Sequence, residues 1–157
     1  MSFLTDTSIE RLLERDEKKW LQNNEVRNSK LLIHGYNPEC LTPVGYDLRV
    51  GKRYAILRRS IRQLDLEPDK GFTILPKEIV AIETEERIGM PQNREYSGII
   101  VSKVSIVEKG MSHISTSIDA DWDGEMIITI TNQSNRKIDL KRGQKFCTMI
   151  LFRNEDA

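Results

Sequence analysis

The chain has 157 residues, 38% hydrophobic and 31% charged, and a chain of that length buries roughly two thirds of its unfolded surface, so it needs no staple to fold. Its 24 basic and 24 acidic residues cancel, which excludes the broad electrostatic footprint of a general nucleic-acid binder and leaves any phosphate binding local. The longest uncharged apolar runs, such as 99–101 and 148–152, are far too short to cross a bilayer, the first residues lack the basic-then-apolar pattern of a secretory signal, and two cysteines make no disulfide framework; a cytoplasmic protein with no membrane contact is expected.

Thr7 with Glu10 forms a capping box, and Ile9, Leu12 and Leu13 fall on one face of the helix that follows. Asp16 interrupts that face and Trp20 and Leu21 resume it, which predicts one helix over roughly 8–21. The polar stretch 22–30 reads as a loop. From residue 31 the period shortens: apolar or alternating runs at 31–33, 46–50, 54–57, 72–75, 79–82, 99–107, 126–131 and 145–152 are each closed by Gly, Pro or Asn. The charged stretch 58–70 reads as a surface excursion between strands. Strands at this spacing, with no helix-length segment between them, predict a mainly β fold, a jelly roll, sandwich or barrel, and exclude a parallel nucleotide-binding sheet. Repeats and linkers are absent, so one domain over 1–157 is expected.

His34, Cys40, His113 and Cys147 are the only imidazole and thiol groups. No two of them lie at zinc-motif spacing, and the zinc deaminase signature is missing, so no zinc is expected; both cysteines read as buried or half-buried side chains. Two clusters are denser than folding needs. In 43–51, Asp47 and Arg49 stand two apart in a strand and so share a face, where they can pair with each other within a subunit or across a boundary. In 117–125, Asp119, Asp121, Asp123 and Glu125 flank Trp122. That turn reads either as a solvated acidic loop or as one in which Ile118 and Trp122 bury apolar surface beside Asp119 and so position its carboxylate as a base.

Taken together and in order, these residues resemble the dCTP deaminase and trimeric dUTPase superfamily. Phe3-Leu4-Thr5-Asp6 leading into Ile9 and Leu12-Leu13 is similar to the opening helix of the deaminase branch, and Leu41-Thr42-Pro43-Val44-Gly45-Tyr46-Asp47-Leu48-Arg49-Val50-Gly51 to its first shared block. Ile74-Leu75-Pro76-Lys77-Glu78, Ile82-Glu83-Thr84-Glu85-Glu86 and Met90-Pro91 follow its next stretch. Ile118-Asp119-Ala120-Asp121-Trp122-Asp123-Gly124-Glu125 resembles the block both branches share, with Trp122 in the deaminase manner and Gly124-Glu125 nearer to dUTPases; 138–144 and 149–152 resemble the last strand pair. The resemblance implies a dUTPase-like distorted jelly roll, with an N-terminal helix, assembled as a homotrimer with active sites between subunits.

The activity it implies is weighed residue by residue. The glutamate that shuttles protons in the deaminase branch matches Thr129, whose hydroxyl has no accessible charged form near neutrality. The Arg-Ser-Ser-x-x-Arg block falls on 103–108, keeping Lys103 and Ser105 but placing Glu108 where a second arginine would meet phosphate. The aspartate that activates water in dUTPases matches Asp119, whereas the glycine-rich C-terminal arm of that branch has no counterpart after Phe152. Three readings follow. One is a dCTP or dUTP hydrolase using Mg²⁺ bound with the triphosphate, with Asp119 as base, Trp122 against the sugar, Lys103 and Ser105 on the phosphates, and Asp47 and Arg49 as further substrate-binding residues at the subunit boundary. The second is a catalytically inactive homologue serving as a nucleotide-binding, regulatory or assembly protein. The third is an active dCTP deaminase with a relocated acid, for which Glu125 is the nearby candidate, roughly 13 Å from Thr129 along the strand.

Overall fold

The computed structural model describes residues 2–57, 62–113 and 116–156. The chain opens on β1 (Ser2–Phe3) and α1 (Asp6–Leu12), which is capped by Thr5, its hydroxyl accepting from the Ser8 N–H. The cap expected at Thr7 therefore lies two residues early, and the single helix expected over 8–21 is broken by β2 (Leu13–Glu14). Asp16, which interrupts the apolar face, begins a new helix: its carboxylate accepts from the Lys19 N–H at 3.1 Å and starts α2 (Glu17–Gln22). The expected loop 22–30 contains α3 (Asn24–Ser29), because the Asn23 side chain accepts from the Glu25 and Val26 N–H groups. A polar stretch hides a helix when its capping residue is sound.

The strands follow as β3 (Leu31–His34), β4 (Leu41–Thr42), β5 (Gly45–Ile56), β6 (Leu64–Asp65), β7 (Gly71–Ile74), β8 (Ile79–Gly89) and β9 (Tyr96–Ser102). After the short α4 (Val104–Val107) come β10 (Met111–His113), β11 (Ser117–Ile118), β12 (Asp123–Asn132), β13 (Ile138–Lys141) and β14 (Lys145–Arg153). The main sheet runs β10-β12-β8-β5-β14-β9-β11, with every neighbour antiparallel, while β13 and β7 form a separate pair. Only β2 against β3 is parallel among the described residues. The mainly β, jelly-roll-like expectation stands.

The two strands expected at 46–50 and 54–57 are one. The first half of β5 pairs with β14 and the second half with β8, so this strand passes from one side of the fold to the other. Gly51 sits at the transition, where an added Cβ would lie 2.5 Å from the Glu83 carbonyl oxygen. The strand expected over 99–107 ends at Ser102, since the Ile106 and Val107 N–H groups both turn back to the Lys103 carbonyl; a short apolar run does not distinguish strand from helix. Residues 58–61 of the expected excursion lie outside the described residues. The rest of it is not all surface: β6 pairs with β5, and Leu66 is buried.

Inward residues of β5, β8, β12 and β14, among them Tyr46, Leu48, Val50, Ile82, Ile88, Ile128, Ile130, Phe146 and Met149, fill the core. The Trp20 indole N–H donates to the Lys30 carbonyl at 2.8 Å, and its ring lies so close to Gly89 that a Cβ there would stand 2.7 Å away. That contact anchors α2 on β8, and through it the N-terminal segment on the sheet. No helix among the described residues is long and apolar enough to cross a membrane.

Candidate active site

The acidic turn joins β11 to β12. Ile118 pairs opposite Gly98 of β9 and is buried, the Trp122 N–H closes the turn onto the Asp119 carbonyl at 3.0 Å, and the Met90 N–H donates to the Trp122 carbonyl at 2.8 Å. The four acids have different fates. Asp123 accepts from Arg87 at 2.8 and 3.0 Å, with Arg27 at 3.6 Å on its other oxygen, and Asp121 faces Arg94 at 3.1 Å. The Asp119 carboxylate has no such partner among the described residues. Glu125 stands opposite Arg87 in the ladder and adds its charge to that guanidinium, so Asp119 is the acid of the turn left for other work.

Beside the turn is a cavity of about 160 Å³ walled by Thr116, Ser117, Ile118, Trp122, Met126, Ile127 and Ile128. Asp119 is not in this wall but lies in the chain between two of its members. Trp122 is 37% exposed, not buried as the second reading of the turn required; its indole N–H donates to the Gly124 carbonyl at 3.1 Å, which fixes the ring over the cavity mouth. Gly124 holds φ at 154° under that ring, a left-side backbone value that favours glycine. Thr129 is half-buried opposite Ala81 and shares a face of β12 with Ile127, two residues away. Thr129, expected to stand at the place of the family glutamate, is thus one residue beyond the cavity wall and not part of it.

Asp47 and Arg49 do not pair with each other. The Asp47 carboxylate receives the Lys103 ammonium at 2.7 Å and the Thr148 hydroxyl at 2.7 Å. Arg49 binds Glu86 of β8 with its Nε at 2.8 Å and its backbone N–H at 2.9 Å, and a second guanidinium nitrogen donates to the Gly35 carbonyl. Tyr46 donates to the same Glu86 at 3.3 Å. Burial pushes the Glu86 carboxyl above the ordinary range, against the bonds from Arg49. The Tyr46 phenol is raised strongly, first by burial and then by the Glu86 charge. Side chains two apart on one strand are about 7 Å from each other, whereas cross-strand neighbours approach to about 5 Å, so the neighbours win.

The sequence-derived residues thus fall into two places. Asp119 and Trp122 stand together; Lys103, at the start of α4, stands with Asp47. Lys103 directly follows the end of β9 and is five residues from Gly98, the partner of Ile118, hence roughly 16 Å from Gly98 by strand rise. Ser105 and Glu108 are exposed on and just after α4. Sequence reasoning missed Glu86, whose role depends on register between β5 and β8. It also missed the cavity wall 126–128, where the unbroken run Met126, Ile127, Ile128 departs from the alternation of a one-sided strand and was the visible signal; in the fold it leaves Ile127 57% exposed. Both cysteines are buried, as expected. No group of three His, Cys, Asp or Glu side chains converges as a metal cage among the described residues.

A family model described as dCTP deaminase-like matches residues 15–154. The dCTP deaminase of Pyrococcus horikoshii is 32% identical over 127 residues, covering 81% of this chain and 78% of its own. That of Thermococcus kodakarensis is 33% identical over 126 residues, covering 80% and 78%. Among solved structures, the 2'-deoxycytidine 5'-triphosphate deaminase from Agrobacterium tumefaciens aligns with a TM-score of 0.73 at 16% identity, covering 98% of this chain; the chain spans 49% of that protein's length. The dUTPase from phage phi11 of S. aureus aligns with a TM-score of 0.55 at 14% identity, covering 82% of this chain and 92% of that one. At such identities these structural likenesses establish the fold.

Proposed function

We propose a function from one premise: this chain belongs to the dCTP deaminase-like family. On this reading it binds a pyrimidine deoxynucleotide triphosphate, dCTP or dUTP, at the Asp119 turn and hydrolyses it to the monophosphate and pyrophosphate. The observation that carries the reading is the division of labour in the turn: Asp121 and Asp123 are neutralised by arginines, and Asp119 is left unpaired beside an apolar cavity. A carboxylate with a free oxygen is what a water-activating base requires. The partly exposed ring of Trp122 offers flat apolar surface to the sugar and base, with Ile118 in the cavity wall beside it.

The phosphates need cations that the turn lacks. Lys103 and Ser105 are their candidates, and the separation of Lys103 from the Gly98 that pairs with Ile118, roughly 16 Å by strand rise, supports phosphate contacts supplied from another subunit. A homotrimer in which one subunit's turn meets its neighbour's α4 brings them together and covers the exposed Val104 and Val107. Asp47 then serves by fixing the Lys103 ammonium, and Arg49 belongs to the framework behind it. The residues present fit Mg²⁺ that arrives coordinated by the triphosphate, since Asp119 has no ion-pair partner among the described residues; the ion would screen phosphate charge. A cytoplasmic location suits such a substrate.

A second reading, nucleotide binding without turnover, is favoured by Lys103 being already neutralised by Asp47 and by the hydroxyl at Thr129. One experiment separates the two: pyrophosphate and ammonia release from dUTP and dCTP with Mg²⁺, beside thermal shifts with the same nucleotides. Hydrolysis by the wild type that falls by two to four orders of magnitude in Asp119→Asn, with the thermal shift kept, supports the hydrolase. An unchanged rate in that variant refutes it. A thermal shift without turnover favours the second reading, and ammonia release from dCTP points instead to deamination with a relocated acid.

A further inference from the structure

At the end of β12 farthest from the acidic turn, about 30 Å along the strand by its rise, two loops are locked together. Asn132, the last residue of β12, is fully buried; its amide donates to the Ile74 and Arg136 carbonyls at 3.1 and 2.8 Å, and its oxygen accepts from the Ser134 N–H and hydroxyl at 3.0 and 2.7 Å. The Gln133 N–H donates to the Gly110 carbonyl at 2.9 Å, and its side-chain amide to the Ser112 hydroxyl at 2.9 Å. Gly110, at φ 91°, stands so near the neighbouring loop that a Cβ would lie 2.8 Å from that of Ser134. The loop after α4 and the loop after β12 are therefore one rigid unit.

That unit presents Lys109, Arg136 and Lys137 around a cavity of about 260 Å³ whose remaining walls are Ile138 and Asp139. No carboxylate stands within ion-pair distance of these three cations among the described residues. Asp139 brings one negative charge to the same wall, one of its oxygens accepting from the Thr73 hydroxyl, and the exposed Glu108 precedes Lys109 in the chain. Several other arginines are matched: Arg49, Arg87 and Arg142 meet carboxylates at 2.8, 2.8 and 3.2 Å. In a chain of zero net charge, three cations without a carboxylate partner stand against one acid around this cavity, a local excess of positive charge that favours an anion. A guanidinium fork flanked by two ammonium groups suits tetrahedral phosphate oxygens, and the volume suits one or two phosphates and not a whole nucleotide.

We propose that the Lys109, Arg136 and Lys137 platform is a binding site for a phosphate or diphosphate group, free or at the end of a larger molecule. It is separate from the Asp119 turn and does not depend on the function assigned to that turn. The test is isothermal titration and thermal shift of the full chain with inorganic phosphate and with pyrophosphate, at ionic strength held constant with chloride. Arg136→Gln, Lys137→Gln and Lys109→Gln, which replace exposed side chains and leave Asn132 in place, should each weaken binding by about tenfold, and Glu108→Gln should not weaken it. Asp119→Asn should bind pyrophosphate as the wild type does, so that loss of the hydrolase reading and loss of this site are told apart. Preference for pyrophosphate over phosphate would identify the diphosphate as the ligand. The proposal is overturned if the triple glutamine variant binds like the wild type, if chloride alone reproduces the thermal shift, or if the substitutions change the oligomeric mass, which would make the platform a subunit contact.

Discussion

The β5 block around Arg49 and the turn around Asp119 draw on the same residue types, acids and aromatics with arginines in reach, and they put them to opposite uses. In the block every charge is spoken for: Glu86 by Arg49 and Tyr46, Asp47 by Lys103 and Thr148. In the turn only Asp121 and Asp123 are held, and Asp119 is left open at the surface beside a cavity. A carboxylate consumed by folding cannot serve as a base without breaking the structure, whereas an open carboxylate on a braced turn can meet a substrate at little structural cost. Stability should therefore reside in the block and activity in the turn.

The sharpest way to break that contrast is Glu86→Ala. It strips the acceptor from a half-buried guanidinium and from the Tyr46 hydroxyl, so urea denaturation should show a loss of roughly 3–5 kcal/mol. Glu86→Gln should cost less and should change the pH dependence. Because burial raises the Glu86 carboxyl above its unfolded value of 4.5, the folded state holds that proton longer, and the associated stability is present at low pH and lost as pH rises through the folded value. The glutamine variant should lack that downward slope. Equal slopes in the two proteins would mean that Glu86 does not titrate as its surroundings require.

Lys103→Met tests the other half of the block. It leaves the buried Asp47 carboxylate with only the Thr148 hydroxyl, a cost of about 2–3 kcal/mol. Lys103→Met with Asp47→Asn should recover part of the loss, since the orphaned charge is gone. In contrast, Asp119→Asn should stay within about 0.5 kcal/mol of the wild type in the same assay, as expected of an exposed, unpaired side chain. If it destabilises as much as Lys103→Met, the turn is structural after all.

How much of this was legible in the sequence follows from range. The β periodicity is local, so the strands and the fold class could be read from it, and the residues of the turn lie within seven positions of one another. Asn23 and Asp16 also act locally as caps, but polar residues signal a loop as readily as a helix start, so α3 and the break before α2 were missed. Val104 to Val107 looked like strand because an apolar run of that length fits either period. The partners of Asp47 and Arg49 lay beyond any local reading. Lys103 and Glu86 are 56 and 37 positions away, and only the pairing of β5 with its neighbours decides which of them arrives. The Lys109, Arg136 and Lys137 platform was hidden for the same reason, as two loops separated by β10, β11 and β12 meet only in the folded chain.

The smallest effect concerns the thiols and changes no stability at all. Cys147 lies at the core under the Asp47 pair, and burial first, then the nearby Glu86 and Asp47 charges, raise its thiol far above the ordinary range; burial raises that of Cys40 beside the Arg49 network as well. Alkylation needs both a thiolate and an approach path. Each unit by which the pKa rises removes tenfold of the thiolate at a given pH, and burial closes the path independently. The native protein at pH 8 should therefore leave both cysteines unmodified by iodoacetamide over hours, and mass spectrometry should find two adducts once the chain is unfolded. Asp119→Cys supplies the contrast within the same molecule: a third thiol on the exposed turn should take one adduct within minutes while the native two stay silent. Rapid labelling of Cys147 in the folded wild type would show that the block opens on that timescale, and the division between a closed block and an open turn would not hold.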